Sequence, residues 1–138
     1  MAQEKSAGAI IFRREKDDIK FLLLHYKLTT DYWDFPRGNI EKDETEQITA
    51  AREIEEETGI TNITFIHDFM EKAQWFYRRN GEITHKEVTI FLAETSQEQI
   101  TLSKEHIGYA WLSYPNAMKK LSFKNAKEIL EKAQTILR

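Results

Sequence analysis

The 138-residue chain contains no cysteine, so neither a disulfide framework nor a thiolate metal site is possible. No apolar run approaches the ~20 residues that a membrane-spanning helix needs. Met1 to Ser6 is short and polar, unlike a signal peptide, and a cytoplasmic location is expected. An excess of positive charge is also missing. The net charge of −3 argues against an extended nucleic-acid surface, which needs Lys and Arg to neutralise phosphates. A small anionic substrate remains open, because divalent cations held by carboxylates invert the local charge. Repeats, low-complexity segments and linkers are absent too. With 41% hydrophobic and 31% charged residues, the chain suits one soluble globular domain over residues 1–138. The composition carries no signal of oligomeric state.

Two strand-like runs come first, Ala7 to Arg14, apolar and β-branched in its middle, and Lys20 to Tyr26. Asp17-Asp18 between them supply turn chemistry and predict an antiparallel hairpin. Leu28 to Phe35 is polar and aromatic and reads as a loop ending in a short extended piece, punctuated by Pro36 and Gly38. Glu44 to Thr58 has no Gly or Pro and predicts a helix. Gln47, Ala50, Ala51, Ile54 and Thr58 form one face of it, and Gly59 stands where it would stop. Strand-like runs follow at Ile63–Met70, Gln74–Arg78 and Glu87–Ala93, with a hairpin signal at Asn80-Gly81. Tyr109–Leu112 suggests a last short strand. Lys124–Leu137 predicts a terminal amphipathic helix striped by Ala126, Ile129, Leu130, Ala133, Ile136 and Leu137. The expected class is α+β: a mixed sheet between helices, an α/β/α sandwich.

The chemistry concentrates at Glu53, Glu56 and Glu57. At about 100° per residue, their i, i+3, i+4 spacing places them on one side of the helix, at the edge of the buried face; Glu55 points elsewhere, into solvent. Like charges so spaced repel, and part-burial raises their pKa. A solvated Glu-rich face would show the same composition. Hard divalent cations, Mg²⁺ or Mn²⁺, remove the repulsion and can activate water or neutralise phosphoryl charge.

The surrounding pattern is more specific. Gly38, Glu44, Arg52, Glu53, Ile54, Glu56, Glu57, Gly59 and Ile60 match all nine specified positions of a 23-residue motif, G-x5-E-x7-R-E-U-x-E-E-x-G-U with U a bulky aliphatic. This resembles the box of the Nudix hydrolases. The resemblance implies an α/β/α sandwich and metal-dependent cleavage of a pyrophosphate linkage. It also implies Glu53, Glu56, Glu57 and the carbonyl of Gly38 as metal ligands, and an internal Glu44–Arg52 ion pair. If both residues of that pair are helical, their eight-residue separation puts them about 80° apart.

Outside the box, Ser6–Arg13, Phe21–Leu24, Trp33–Gly38 and Leu102–His106 with Tyr109 and Trp111 resemble the asymmetrical diadenosine tetraphosphate hydrolase branch. That likeness implies hydrolysis of a dinucleoside polyphosphate, diadenosine tetraphosphate, to ATP and AMP. Under it Glu105 is a further metal ligand or a general base, unless it is a solvated loop carboxylate; Glu56 is the other candidate base. His106 reads as a packing or hydrogen-bonding histidine and Trp111 as core. Arg37 and Lys86 are expected on the phosphates, with His25 and Lys27 as weaker candidates. Tyr77 and Tyr109 are expected near the bases. Alternation puts Trp75 and Tyr77 on one face and Phe76 on the other; the resemblance favours Tyr77 for stacking. Asn39 after Phe35-Pro36-Arg37-Gly38 departs from the animal members' Pro-Pro-Lys-Gly-His. Nucleoside triphosphates, RNA 5′ ends and ADP-ribose are alternative substrates. A nucleotide-sensing, non-catalytic module is disfavoured by retention of every box carboxylate.

Overall fold

The structure, a computed structural model, describes residues 1–27 and 31–138. Its centre is the first strand, β1 (Ala2–Glu15), which pairs in parallel with β6 (Glu82–Glu94) from Ala2↔Thr84 to Phe12↔Glu94. On its other edge β1 meets β2 (Asp18–Lys27) only over Phe12–Glu15, and meets β4 (Arg37–Asn39) over Ser6–Gly8. β2 in turn leaves β1 after Phe21 and takes β3 (Asp31–Asp34) as partner over Leu24–Lys27. The two central strands therefore part company, and the Asp34–Arg37 link lies in the opening. There the Pro36 carbonyl accepts from Ala9 N–H at 3.2 Å. β7 (His106–Leu112) lines the far edge of β2, and β5 (Thr64–Arg79) pairs antiparallel with β6. The result is a seven-stranded mixed sheet.

Helix α1 (Glu46–Thr58) covers one face, where Ala50 and Ile54 pack on Ala7, Ala9, Ile11, Leu22 and Leu24. Helices α2 (Tyr114–Lys120) and α3 (Lys124–Leu137) cover the other, where Ala117, Ile129 and Leu130 meet Ile10, Phe12, Leu23 and Leu92. This is the sandwich expected from the alternation of patterns. Burying each such Leu, Ile or Phe contributes roughly 1.5–3 kcal/mol.

Several boundaries differ from the sequence expectation, each for a physical reason. The Ile63–Met70 and Gln74–Arg78 runs are one strand, β5. A register shift between Phe65 and Met70, with Asp68 at φ 68°, hides its periodicity. The first hairpin turns on Lys16 (φ 57°) and Asp17, since Asp18 already pairs with Glu15. Asp31–Asp34 of the expected loop is a strand; residues 28–30 of that loop lie outside the described residues. The short helix α2 has too few residues to show a period. Asn80 (φ 52°) and Gly81 (φ 79°) do form the tight two-residue turn between Arg79 and Glu82. In α3, Ala126, Ile129, Leu130 and Ala133 are buried as expected and Leu137 packs partly, while Ile136 is exposed. No helix among the described residues is long and apolar enough to cross a membrane.

Candidate active site

Helix α1 begins one residue after Thr45, whose hydroxyl caps it by accepting from Ile48 N–H at 3.1 Å, and it ends at Gly59 in the left-handed conformation (φ 74°). Its buried residues are Thr49, Ala50, Ile54, Glu57 and Thr58. Gln47, expected on that face, is exposed, and Ala51 is only half-buried. The buried stripe is thus rotated towards Glu57, and this rotation drives a carboxylate into the protein.

Glu57 is held from three directions. Its Oε1 accepts from Tyr26 Oη and from Arg37 N–H, each at 3.3 Å, and lies 3.7 Å from His106 Nε2. Tyr26 shares its one hydroxyl hydrogen between Glu57 and the Phe35 carbonyl, which lies nearer at 2.8 Å. His106 is buried, its Nδ1 2.8 Å from Ser103 Oγ, with Tyr26 edge-on at 4.3 Å, and burial lowers its pKa. His106 thus packs on Tyr26 beside Glu57 and is bonded through Nδ1 to Ser103, as expected for a packing or hydrogen-bonding histidine. Burial first, and then the Glu53 carboxylate alongside, push Glu57 far above the ordinary carboxylate range; burial likewise raises Glu53.

Glu53 and Glu56 lean on Arg52. Its Nη1 lies 2.8 Å from Glu53 Oε2 and 3.2 Å from Glu56 Oε2. Its other edge grips Glu44 by two bonds, Nε to Oε2 at 2.7 Å and Nη2 to Oε1 at 3.0 Å. Nη2 also donates to the Asn39 carbonyl at 3.0 Å. Glu44 accepts further from Glu41 N–H at 3.0 Å and Thr49 Oγ1 at 2.8 Å. The Arg52 bonds first, then these two, lower the Glu44 pKa to about 2. The expected ion pair is present, but its helical rationale is corrected: Glu44 precedes the helix, and a loop brings it back onto Arg52.

A Cβ at position 38 would lie 2.1 Å from the Glu53 carboxylate, so only glycine leaves room for it beside the backbone. Among the described residues, no three acidic or histidine side chains converge as a ready-made cation cage, because Arg52 draws Glu53 and Glu56 to itself. The donor set nonetheless fits a hard divalent ion. Three carboxylates share one helix side, one of them is raised in pKa by burial and then by its neighbour, and a side-chain-free backbone segment faces them.

Gly38, Glu53, Glu56 and Glu57 line a cleft of about 830 Å³ together with Arg37, Arg52, Glu105, Trp75, Tyr77 and Lys86. Apart from the weaker candidates His25 and Lys27, the structure gathers all but two of the expected site residues in one place: Glu44 stands behind Arg52, and Tyr109 is exposed on β7 opposite Leu24, lining neither this cleft nor the apolar cavity beside it. Glu105 lies at the mouth, solvent-exposed. Arg37 Nε donates to the buried Asp34 carboxylate at 3.1 Å. Lys86 Nζ, 14% exposed, donates to Ser6 Oγ at 2.8 Å. His25 stacks on Trp33 and faces Asp31, and neither it nor the exposed Lys27 reaches the cleft. Trp111 is partly buried, its indole N–H on the Glu98 carbonyl and Arg13 over its ring.

A second, apolar cavity of about 340 Å³ adjoins the first, and Arg37 and Trp75 line both. Phe35, Val88, Ile90, Phe123 and Ile129 supply its walls, and Asp34 and Asn125 polar atoms at its edge. It takes Trp75 rather than Tyr77, whose hydroxyl is committed to Glu4 at 2.5 Å. Trp75 shares Tyr77's face, as alternation requires. Phe123 was missed, because nothing in its local pattern marks it.

A family model described as NUDIX domain matches residues 2–133. The chain is 33% identical to the asymmetrical bis(5′-nucleosyl)-tetraphosphatase of Mus musculus, covering 96% of this chain and 95% of that protein. It is 28% identical to the dihydroneopterin triphosphate diphosphatase of Haemophilus influenzae, over 96% of this chain and 89% of that one. The structure superposes on a C. elegans Ap4A hydrolase binary complex with a TM-score of 0.86, at 31% identity and 97% coverage of both chains.

Proposed function

Because the chain belongs to the Nudix family and is a Nudix hydrolase, we propose that it cleaves a dinucleoside polyphosphate, diadenosine tetraphosphate, into ATP and AMP with Mg²⁺ (or Mn²⁺) as cofactor. The observation that carries this reading is the continuity of an acidic, cation-fringed cleft with an apolar cavity through Arg37 and Trp75. A polyphosphate in the first places a base in the second. The murine relative's named activity supports the same substrate class.

In this reading Glu53, Glu56, Glu57 and the Gly38 carbonyl hold the cofactor. When bound, it supplies charge neutralisation at the phosphoryl group and lowers the pKa of water. Tyr26 and the Arg37 N–H hold the Glu57 carboxylate, and Gly38 leaves Glu53 its space. Arg37 and Lys86 bind and orient the phosphates, Arg37 being held in turn by Asp34. Trp75 and Phe123 flank the base. The proton of the attacking water goes to Glu56 or Glu105, both exposed carboxylates of the cleft.

One cavity for one flat heterocycle also suits a pterin triphosphate, the substrate named for the Haemophilus relative. The test is kcat/KM measured side by side for diadenosine tetraphosphate, a nucleoside triphosphate, dihydroneopterin triphosphate, ADP-ribose and 5′-triphosphate RNA. The dinucleotide is expected to rank first; a higher value for any other overturns the substrate assignment.

A further inference from the structure

Glu4 has no part in the chemistry described above, yet it sits inside the same cleft. It lies near the start of β1, directly opposite Lys86 of β6. Its carboxylate takes the Tyr77 hydroxyl at 2.5 Å, bonds the Arg79 guanidinium, and lies 3.6 Å from Lys86 Nζ. Three donors from two strands thus converge on one side chain that is only 24% exposed.

The structural clamp at Glu44 also gathers three donors, but only one of them, Arg52, is a cation. A guanidinium, an ammonium and a phenol hydroxyl aimed at one point are the donors that recognise a phosphate oxyanion. Lys86 and Arg37 also stand in each other's field: burial first, then the Arg37 charge, lower the Lys86 pKa. Arg37 and Lys86 line that wall of the cleft, the exposed Arg79 lies outside its lining, and each of the three has a carboxylate, Asp34 on Arg37 and Glu4 on Lys86 and Arg79.

We propose that Tyr77, Arg79 and Lys86 form a subsite for the far end of a polyphosphate chain, and that Glu4 occupies this subsite until a phosphate displaces it. Glu4 is then a specificity-determining residue. A chain that reaches the subsite competes with Glu4, whereas a short chain does not. The inference builds on the polyphosphate-hydrolase reading but concerns binding, so it can be tested without turnover.

The experiment is calorimetric titration of inorganic tripolyphosphate into the full chain with EDTA present, comparing wild type, Glu4→Gln and the double variant Glu4→Gln/Arg79→Gln. Removing the competing charge is expected to tighten binding by roughly three- to tenfold at low salt, with the gain shrinking as salt screens the site. The double variant is expected to lose that gain. Steady-state kinetics supply a second arm. In Glu4→Gln, KM for diadenosine tetraphosphate is expected to fall relative to KM for ADP-ribose. Unchanged or weaker tripolyphosphate binding in Glu4→Gln, or no measurable binding by either protein, overturns the inference and leaves Glu4 a strap. Tighter binding without any dinucleotide turnover would sustain the subsite while refuting the substrate assignment. Thermal unfolding of each variant checks that the fold is kept.

Discussion

The Glu53 carboxylate fills the space that a side chain at Gly38 would need, with only 2.1 Å between its nearest atom and a Cβ built there. The obstructed group is the end of a flexible side chain rather than backbone. Gly38→Ala should therefore displace Glu53 and leave the fold intact. Activity is expected to fall by roughly 10²-fold, the size of loss that a misplacement of about 1 Å can cause. The thermal midpoint should change little. A variant that unfolds, or one that keeps full activity, would contradict this.

Arg52 ties the loop at Glu44 to helix α1 through a two-pronged contact, and its pKa is raised by that partner first. The Glu44 pKa is depressed to about 2, so the stability it contributes is present above the unfolded value of 4.5 and is lost as pH falls towards 2. Glu44→Gln should lower the thermal midpoint at pH 7, with the difference from wild type shrinking across that acid window. Thermal unfolding followed by circular dichroism at several pH values tests this. A difference independent of pH would mean that the charge on Glu44 is irrelevant.

Glu57 has the opposite sign. Its folded pKa of about 9 exceeds the ordinary 4.5, so its stability contribution in the metal-free protein is full below 4.5 and is lost as pH rises through about 9. A cation needs the carboxylate ionised and so competes with its proton. Mg²⁺ binding at pH 7 should release a proton, visible as a buffer-dependent binding enthalpy. The rise in thermal midpoint on adding Mg²⁺ should be greater at pH 8.5 than at pH 5.5. No proton release would mean that Glu57 is already ionised and that its burial has been offset some other way.

Trp75 borders both cavities, whereas Tyr77 is bonded through its hydroxyl to Glu4. Trp75→Ala should raise KM for the nucleotide by the loss of roughly 1–3 kcal/mol of stacking, with a smaller effect on kcat. Tyr77→Phe keeps the ring and should leave base binding intact. Steady-state kinetics on both variants distinguish the two aromatics. The reverse ranking would return the stacking role to Tyr77.

What the sequence revealed depended on how local the determinant was. The spacing from Gly38 to Ile60 carries the helix, its Gly59 stop and the carboxylates, because these depend on positions a few turns apart, whereas the Arg52–Glu44 clamp, implied by the family resemblance, depends on the loop before the helix. The terminal helix and the sandwich were legible from apolar periodicity. Strand β5 was not legible as one piece, since the irregularity between Phe65 and Met70 breaks the alternation. Even the helical stripe was misread by one position. Gln47 faces water and Glu57 the interior because Tyr26, Arg37 and His106, on other elements, receive it. The apolar cavity joins residues from four segments, among them Phe35, Trp75, Val88 and Phe123, and no single segment signals it. Tyr109 looked suited to a base from its neighbours in sequence, but its place on β7 leaves it outside both cavities.

The most direct test is product analysis after incubation with diadenosine tetraphosphate and Mg²⁺ in ¹⁸O-labelled water, run in parallel with Glu56→Gln and Glu57→Gln. The account predicts ATP and AMP in equal amounts, the label on a single product, no turnover with EDTA, and a loss of several orders of magnitude in both variants. Symmetric cleavage to two ADP, or near-wild-type turnover by the variants, would contradict it.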